Sequence, residues 1–337
     1  MGMDERFSAL VVRGGKEDGF SRQMEKLDVA GLPDGDVLVE VLYSSLNYKD
    51  ALAASGSPGV VKNYPHTPGI DAAGIVRISR VDKLAVGDEV IVTSYGLGVE
   101  VPGGYGRYIR VPAAWVVPLP AGLSLEESMV YGTAGFTAAL SLQRLQEHGV
   151  EAEAGPVLVT GASGGVGSIA VALLAGAGYQ VVAASGKEQA GALLRQLGAD
   201  QVVGRGEVTD DSGRPLLGQK WAGVVDTVGG DILTTALKTT QYGGTVTCCG
   251  LAASPKLDTT VFPFILRGIS LVGIDTVACP MPLRLRLWEQ LAGTWKPAGL
   301  ELLKSECTVE ELAASPGPVE RILAGGQTGR LVVRTSP

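Results

Sequence analysis

The chain has 337 residues, of which 45% are hydrophobic and 19% charged, a composition that excludes wholesale disorder and makes two domains the natural reading. A formal net charge of −7 without any Lys/Arg-rich run excludes a general nucleic-acid surface. The opening MGMDERFSAL lacks the regions of a signal peptide, and the longest mostly apolar stretch (168–185) is broken by Gly176, Gly178 and Gln180, so a cytoplasmic protein without a membrane span is expected.

The first third reads as β-rich. FSALVVRGG, DVLVEVLYSS, GIDAAGIVRIS, VGDEVIVTS and GGYGRYIRVP are short, carry Val or Ile and are bounded by Gly, Pro or Asp, which predicts a compact barrel or sandwich. At Ser124 the pattern changes. Glu127 follows three residues later, a capping-box signature, and a helical apolar period runs on from it. Strands and helices then alternate: GPVLVTG, VGSIAVALLAGAG, YQVVAAS, EQAGALLRQLGA, QVVGR, AGVVDTVG, ILTTALKTT and GTVTCCG. Such alternation predicts a parallel, doubly wound sheet. The tail from about Ile269 fits either an added strand–helix unit of that sheet or a return to the first domain.

Cys248, Cys249, Cys279 and Cys307 form no C-x-x-C pair, and His66 and His148 are the only histidines. The thiols read as buried and inert, the histidines as structural, and no metal site is expected.

VLVTGASGGVGSIAVALL carries the strongest signal. A buried strand turns through glycines and opens directly into a helix, with Ala162, Gly164 and Gly167 in an A-x-G-x-x-G spacing. Glycine lets the backbone approach a pyrophosphate, and the helix start offers unpaired N–H groups and partial positive charge. At the end of the next strand, NAD-preferring sites place an acidic residue for the ribose 2′-hydroxyl. Here that corner holds Ser185, Gly186 and Lys187, with Arg205 after the following strand. A hydroxyl, an open glycine and two cations suit a 2′-phosphate, so the expected cofactor is NADPH.

SSLNYKDALAASG (44–56) sets Asn47, Tyr48, Lys49 and Asp50 side by side. Asn47 as N-cap and Asp50 in the first turn would start a short helix. Tyr48 gains little from that arrangement, and a phenol donates a hydrogen bond or a proton near neutral pH. Both readings stay open on local grounds.

SSLNYKDALA, PGIDAAGIV, GTAGFTA, VTGASGGVGS, SGK, CGLA and FPFILRGISLVGIDTV together resemble the medium-chain dehydrogenase/reductase superfamily, over essentially the whole chain. They are most similar to its zinc-free acryloyl-CoA reductase branch, which includes bacterial proteins labelled quinone oxidoreductases. The resemblance implies a GroES-like β-rich catalytic domain over 1–124 and 271–337, and a Rossmann doubly wound parallel-sheet cofactor domain over 125–270. It implies an active site in the interdomain cleft. Zinc-dependent relatives carry Cys where this chain has Asn47, and His-Glu where it has Ile70 and Asp71.

Carried over residue by residue, the resemblance gives NADPH contacts to Tyr48, Ser163, Gly164, Gly165, Val166, Ser185, Gly186, Lys187, Arg205, Leu251, Ile265 and Thr276, with Thr133 near the nicotinamide. Tyr48 is the implied proton donor, with Asn47 or Asp50 assisting. The implied reaction is NADPH-dependent reduction of the C=C bond of a short 2-enoyl-CoA, acryloyl-CoA first. A quinone or enone reductase is the alternative, and an NADPH-binding protein without catalysis a remote one. A homodimer is implied as well.

Overall fold

The computed structural model describes residues 5–15 and 19–335. The chain divides into two compact units. One holds the described residues through Thr133, Val277–Ala292 and those from Lys304 on; the other holds Ala134–Thr276 and Gly293–Leu303.

The first unit is built on a seven-stranded sheet. Lys304–Thr308, Arg330–Arg334, Val37–Ser45, Asp71–Ser79, Glu89–Thr93 and Val116–Pro118 follow one another across it, and Tyr108–Val111 also pairs with Val37–Ser45. Alternation in the sequence explains the strands. Val37, Val39 and Val41 point one way into a core with Ala72, Val76, Val90, Val92, Ile109 and Val111. Leu38, facing the other side, packs with Phe7, Val29, Leu32 and Tyr108.

Arg6–Gly15 forms an antiparallel ladder with Gly19–Asp28. Sequence reasoning missed this second strand. GFSRQMEKLD holds no Val or Ile, and its backbone is extended because it pairs along the whole length of its partner. The strand Lys304–Thr308, parallel to Arg330–Arg334, was missed for the same reason.

The second unit holds a six-stranded, all-parallel sheet in the order Gln201–Val203, Val181–Ala184, Val157–Val159, Trp221–Asp226, Thr240–Cys248 and Ser270–Gly273. Chain order thus runs outward from Val157–Val159 first to one side and then to the other, the doubly wound pattern with its switch point between the third and fourth strands. Leu158, Val182, Val224 and Val246 sit in register across the middle of the sheet and form its core with Leu233, Ala236 and Leu237. The expected boundary at 270/271 falls inside this fold: Ser270–Gly273 pairs with Thr245–Cys248 as the edge strand.

Among the described residues no helix is long and apolar enough to cross a membrane. The helical stretch Leu125–Glu147 starts on the expected capping box, with Glu127 N–H donating to Ser124 Oγ at 3.1 Å and Ser124 N–H donating to Glu127 Oε2 at 2.9 Å. It is two helices meeting at Gly132, whose φ is 49° and ψ −153°.

Candidate active site

The candidate dinucleotide face lies at the carboxyl ends of the parallel strands. Val157–Val159 leads through Thr160–Gly164 into the helix Gly165–Gly176. No side chain caps that helix start, where Gly164 is the N-cap, so its first N–H groups are available to an anion. The next strand end places Ser185 Oγ as donor to Ser163 Oγ at 3.0 Å and as acceptor from Lys187 N–H at 3.1 Å. Arg205 crosses the same corner: a Cβ on Gly186 would lie 2.7 Å from its Cζ. Burial pulls the Lys187 ammonium below its ordinary range, and the neighbouring Arg205 charge adds to the effect. Two cations are therefore held close together beside two hydroxyls, a donor set that fits a 2′-phosphate. A cavity of about 530 Å³ adjoins the corner, lined by Arg205, Thr209, Val228, Gly230, Ser254 and Lys256 among others.

Leu251 follows the strand Thr240–Cys248, and Thr276 follows Ser270–Gly273, so both lie beyond carboxyl ends of the sheet. Leu251 and Ile265 are exposed, whereas Thr276 is buried. Sequence reasoning overlooked Asp226 at the end of Trp221–Asp226. Its buried carboxylate accepts from Thr160 Oγ1 at 2.7 Å and from Gly229 N–H at 2.8 Å, tying the phosphate-loop strand to the next turn.

In the first unit, the quartet opens the helix Tyr48–Ala54. Asn47 is the N-cap, and Asp50 Oδ2 accepts its N–H at 2.9 Å, so the helix-start reading describes the backbone. The Asn47 side chain does something else. Nδ2 donates to Asp50 Oδ2 at 3.1 Å and to Asp71 Oδ2 at 2.7 Å, while Oδ1 accepts from Arg330 Nη1 at 3.2 Å. All three of its polar bonds are thereby made inside the protein. Asp50 is 0% exposed, and its Oδ1 accepts from Ile70 N–H at 2.8 Å. Tyr48, by contrast, is 43% exposed. Lys49 is exposed too, leaving these two to face outward.

Asp71 and Arg330 complete a buried hub that sequence reasoning did not assemble. Asp71 accepts from Ser45 Oγ at 2.6 Å, from Thr133 N–H at 2.9 Å and from Thr133 Oγ1 at 2.6 Å. Arg330, on the strand Arg330–Arg334, donates through Nε to Val130 O at 2.9 Å and through Nη2 to Ser45 Oγ at 2.7 Å, with Asp71 3.8 Å away. The only signal was sequence distance: Asp71 sits in GID and Arg330 in GRLVVR, motifs with no local bearing on each other. Burial pushes Asp50 up to about 7, and the Asp71 carboxylate adds to that. Burial also pulls Arg330 down, opposed by the charges of Asp71 and Asp50.

Gly132 makes the hub possible. A Cβ there would lie 2.7 Å from Ser45 Oγ and 2.9 Å from Arg330 Nη2, and its φ of 49° is one that L side chains rarely adopt. The kink turns Thr133 so that its amide and hydroxyl both meet Asp71.

Beside it lies a strained corner. Ser94 and Tyr95, with φ of 66° and 52°, are the only non-glycine residues of positive φ among those described. Tyr95 is stacked on Trp115 at 5.5 Å and 6°, and the Arg284 guanidinium lies 4.5 Å over its ring.

The histidines stay outside this hub. His66 is buried between Tyr64 and the Gly98 turn, and His148 follows the end of Leu125–Glu147. All four cysteines are free; Cys279 and Cys307 are buried, but Cys248 and Cys249 are only half-buried, so burial was overstated for that pair. Burial pushes Cys249 and Cys307 up to about 12, which leaves their thiols protonated and unreactive.

A zinc ion does not fit the residues that stand at the relatives' ligand positions. Ile70 offers no donor, and the polar atoms of Asn47 and Asp71 are taken up by Arg330, Asp50, Ser45 and Thr133. Among the described residues no group of three or more His, Cys, Asp or Glu is placed to hold a metal.

Comparison with known proteins places the chain. Residues 33–121 match the alcohol dehydrogenase GroES-like domain, and residues 165–291 match the family described as zinc-binding dehydrogenase. Acrylyl-CoA reductase AcuI of Ruegeria pomeroyi is 44% identical over 328 residues, which span 97% of this chain and 98% of that protein. The chain belongs to the medium-chain dehydrogenase/reductase superfamily. YhfP of Bacillus subtilis, which bears a provisional quinone oxidoreductase name, is 46% identical over 98% of this chain and 100% of its own; its structure, with NAD bound, has a TM-score of 0.94. Escherichia coli YhdH with bound NADPH is 42% identical with a TM-score of 0.93, covering 97% of this chain and 100% of its own. Membership fixes the coarse chemistry of this protein: it is an oxidoreductase that uses a nicotinamide dinucleotide.

Proposed function

We propose that this protein reduces the C=C bond of a short 2-enoyl-CoA, acryloyl-CoA before longer ones, with NADPH as reductant. The observation that carries this is the division of labour in the quartet. Asn47 and Asp50 spend their polar atoms inside the hub, and the Tyr48 phenol is left exposed at the first position of the helix they start. When bound, the reduced nicotinamide supplies a hydride to the β-carbon. The thioester oxygen then gains negative charge, and a proton must reach the α-carbon. Tyr48 donates a hydrogen bond to that oxygen or the proton itself. Asn47 and Asp50 act as positioning residues, holding the helix start that presents Tyr48.

NADPH over NADH is supported by the paired cations and hydroxyls at Ser163, Ser185, Lys187 and Arg205. Gly165 and Val166 would present backbone N–H groups to the pyrophosphate, Gly164 would shape the turn through its own N–H, which donates to Gly161 O at 2.9 Å, and Leu251, Ile265 and Thr276 would border the nicotinamide. A short enoyl thioester is supported by the 44% identity with AcuI. A homodimer in solution belongs to the same reading.

The test follows absorbance of the reduced nicotinamide with acryloyl-CoA, crotonyl-CoA and a simple quinone in parallel, with NADH as cofactor control. Turnover of acryloyl-CoA with NADPH is expected, and Tyr48→Phe should lower kcat about 100-fold without moving the unfolding temperature, since the side chain is exposed. Turnover of quinone alone would overturn the thioester reading.

A further inference from the structure

A glycine at position 94 would adopt its φ of 66° without strain, and glycine follows two residues later at Gly96. The chain places a serine there instead. What serine adds is a hydroxyl, and that hydroxyl lies 3.2 Å from Thr133 Oγ1. The direction of the bond can be worked out. Thr133 gives its single hydroxyl proton to Asp71 Oδ1 at 2.6 Å, because a carboxylate oxygen accepts. Thr133 Oγ1 is then the acceptor, and Ser94 is the donor.

Ser94 is also pinned from both sides. Its N–H donates to Ile70 O at 2.9 Å, next to Asp71 in sequence. Its neighbour Tyr95 is gripped between Trp115 and Arg284, and Arg284 is itself fixed by donating from Nη1 to Thr93 Oγ1 at 3.0 Å. This grip prevents two consecutive left-handed residues from relaxing. Backbone strain that is held in place in this manner marks sites where geometry serves function.

We infer that Ser94 is a positioning residue of the active site, and that the left-handed Ser94–Tyr95 corner is held strained so that its hydroxyl fixes Thr133 against Asp71. Through Asp71 the restraint reaches Asn47, and through Asn47 the start of the helix that carries Tyr48. The inference rests on the proposed function in one respect only, that Tyr48 faces the reacting carbon skeleton.

Two variants separate the hydroxyl from the strain. Ser94→Ala keeps the strained corner and loses the hydroxyl, and Ser94→Gly loses both. Both are expected to lower kcat about tenfold, the size of one hydrogen bond, with KM for NADPH unchanged. Hydrogen exchange of the Thr133 amide, which also bonds Asp71, should quicken in both variants. Parental kcat in both variants, or an unchanged Thr133 exchange rate, overturns the inference. If the parent protein reduces neither thioester nor quinone, the proposed function fails, and the exchange measurement still decides the role of Ser94.

Discussion

Arg330 Nη1 donates to Asn47 Oδ1 at 3.2 Å, although 283 positions separate the two residues in the chain. Among the described residues the guanidinium is the cation set beside Asp71 and Asp50, and all three side chains are buried. Removing it strands buried negative charge. Arg330→Met is therefore expected to cost about 3–5 kcal/mol in urea unfolding, and Arg330→Lys less, since it keeps the charge and loses the fork. An unchanged midpoint for Arg330→Met would show that the hub contributes nothing to stability.

Gly132→Ala tests the same hub from the opposite side. The added methyl meets Ser45, Asp71 and Arg330 at once, in a backbone conformation that only glycine adopts comfortably. Thermal unfolding should reveal a loss of roughly 2–5 kcal/mol, larger than for a mid-helix glycine replacement elsewhere. A neutral outcome would mean that the two helices straighten without cost.

Asp50 makes stability depend on pH. Its folded value of about 7 lies above that of an unfolded aspartate. The folded state thus retains a proton that the unfolded chain has released by about pH 4. This contribution is fully present below about pH 4 and is lost as pH rises through 7. Asp50→Asn cannot ionise, so the gap in urea midpoint between variant and parent should narrow from about pH 5 to about pH 8. Parallel curves would place Asp50 in its ordinary range instead.

At the cofactor corner, Lys187→Ala and Arg205→Ala should each weaken NADPH binding about 10–100-fold and leave NADH nearly unaffected, as read by nucleotide fluorescence titration. The loss should shrink at high salt, where an ionic contact counts for less. Equal losses for both nucleotides would assign the two cations to the pyrophosphate.

Much of this architecture is legible locally. The strand–glycine–helix run at Val157–Gly176 and the capping box at Ser124 depend on residues within a few positions, and the structure has both. The strand Gly19–Asp28 was not legible, because pairing rather than composition makes it extended. The hub was illegible for a related reason. Local sequence left Asn47 and Asp50 open between a helix start and a reaction centre, because it displays polar groups without saying where their hydrogen bonds end. Those end on Asp71, Ile70 and Arg330, which only the folded sheet brings near. Ser94 carried no signal at all, since left-handed backbone at a serine is a product of its tertiary clamps.

The parallel pair Lys304–Thr308 and Arg330–Arg334 joins the sheet of the first unit beside Val37–Ser45. Synthesis proceeds from the N-terminus at roughly 5–20 residues per second, so Asn47 and Asp71 exist for some tens of seconds before Arg330 is made. Throughout that interval the start of the helix bearing Tyr48 has the carboxyl groups of Asp50 and Asp71 beside it and lacks the Arg330 cation. A nascent or clipped chain ending short of the last strand can carry a finished parallel sheet and still lack the cation of the hub, so the hub closes last, with the final strand.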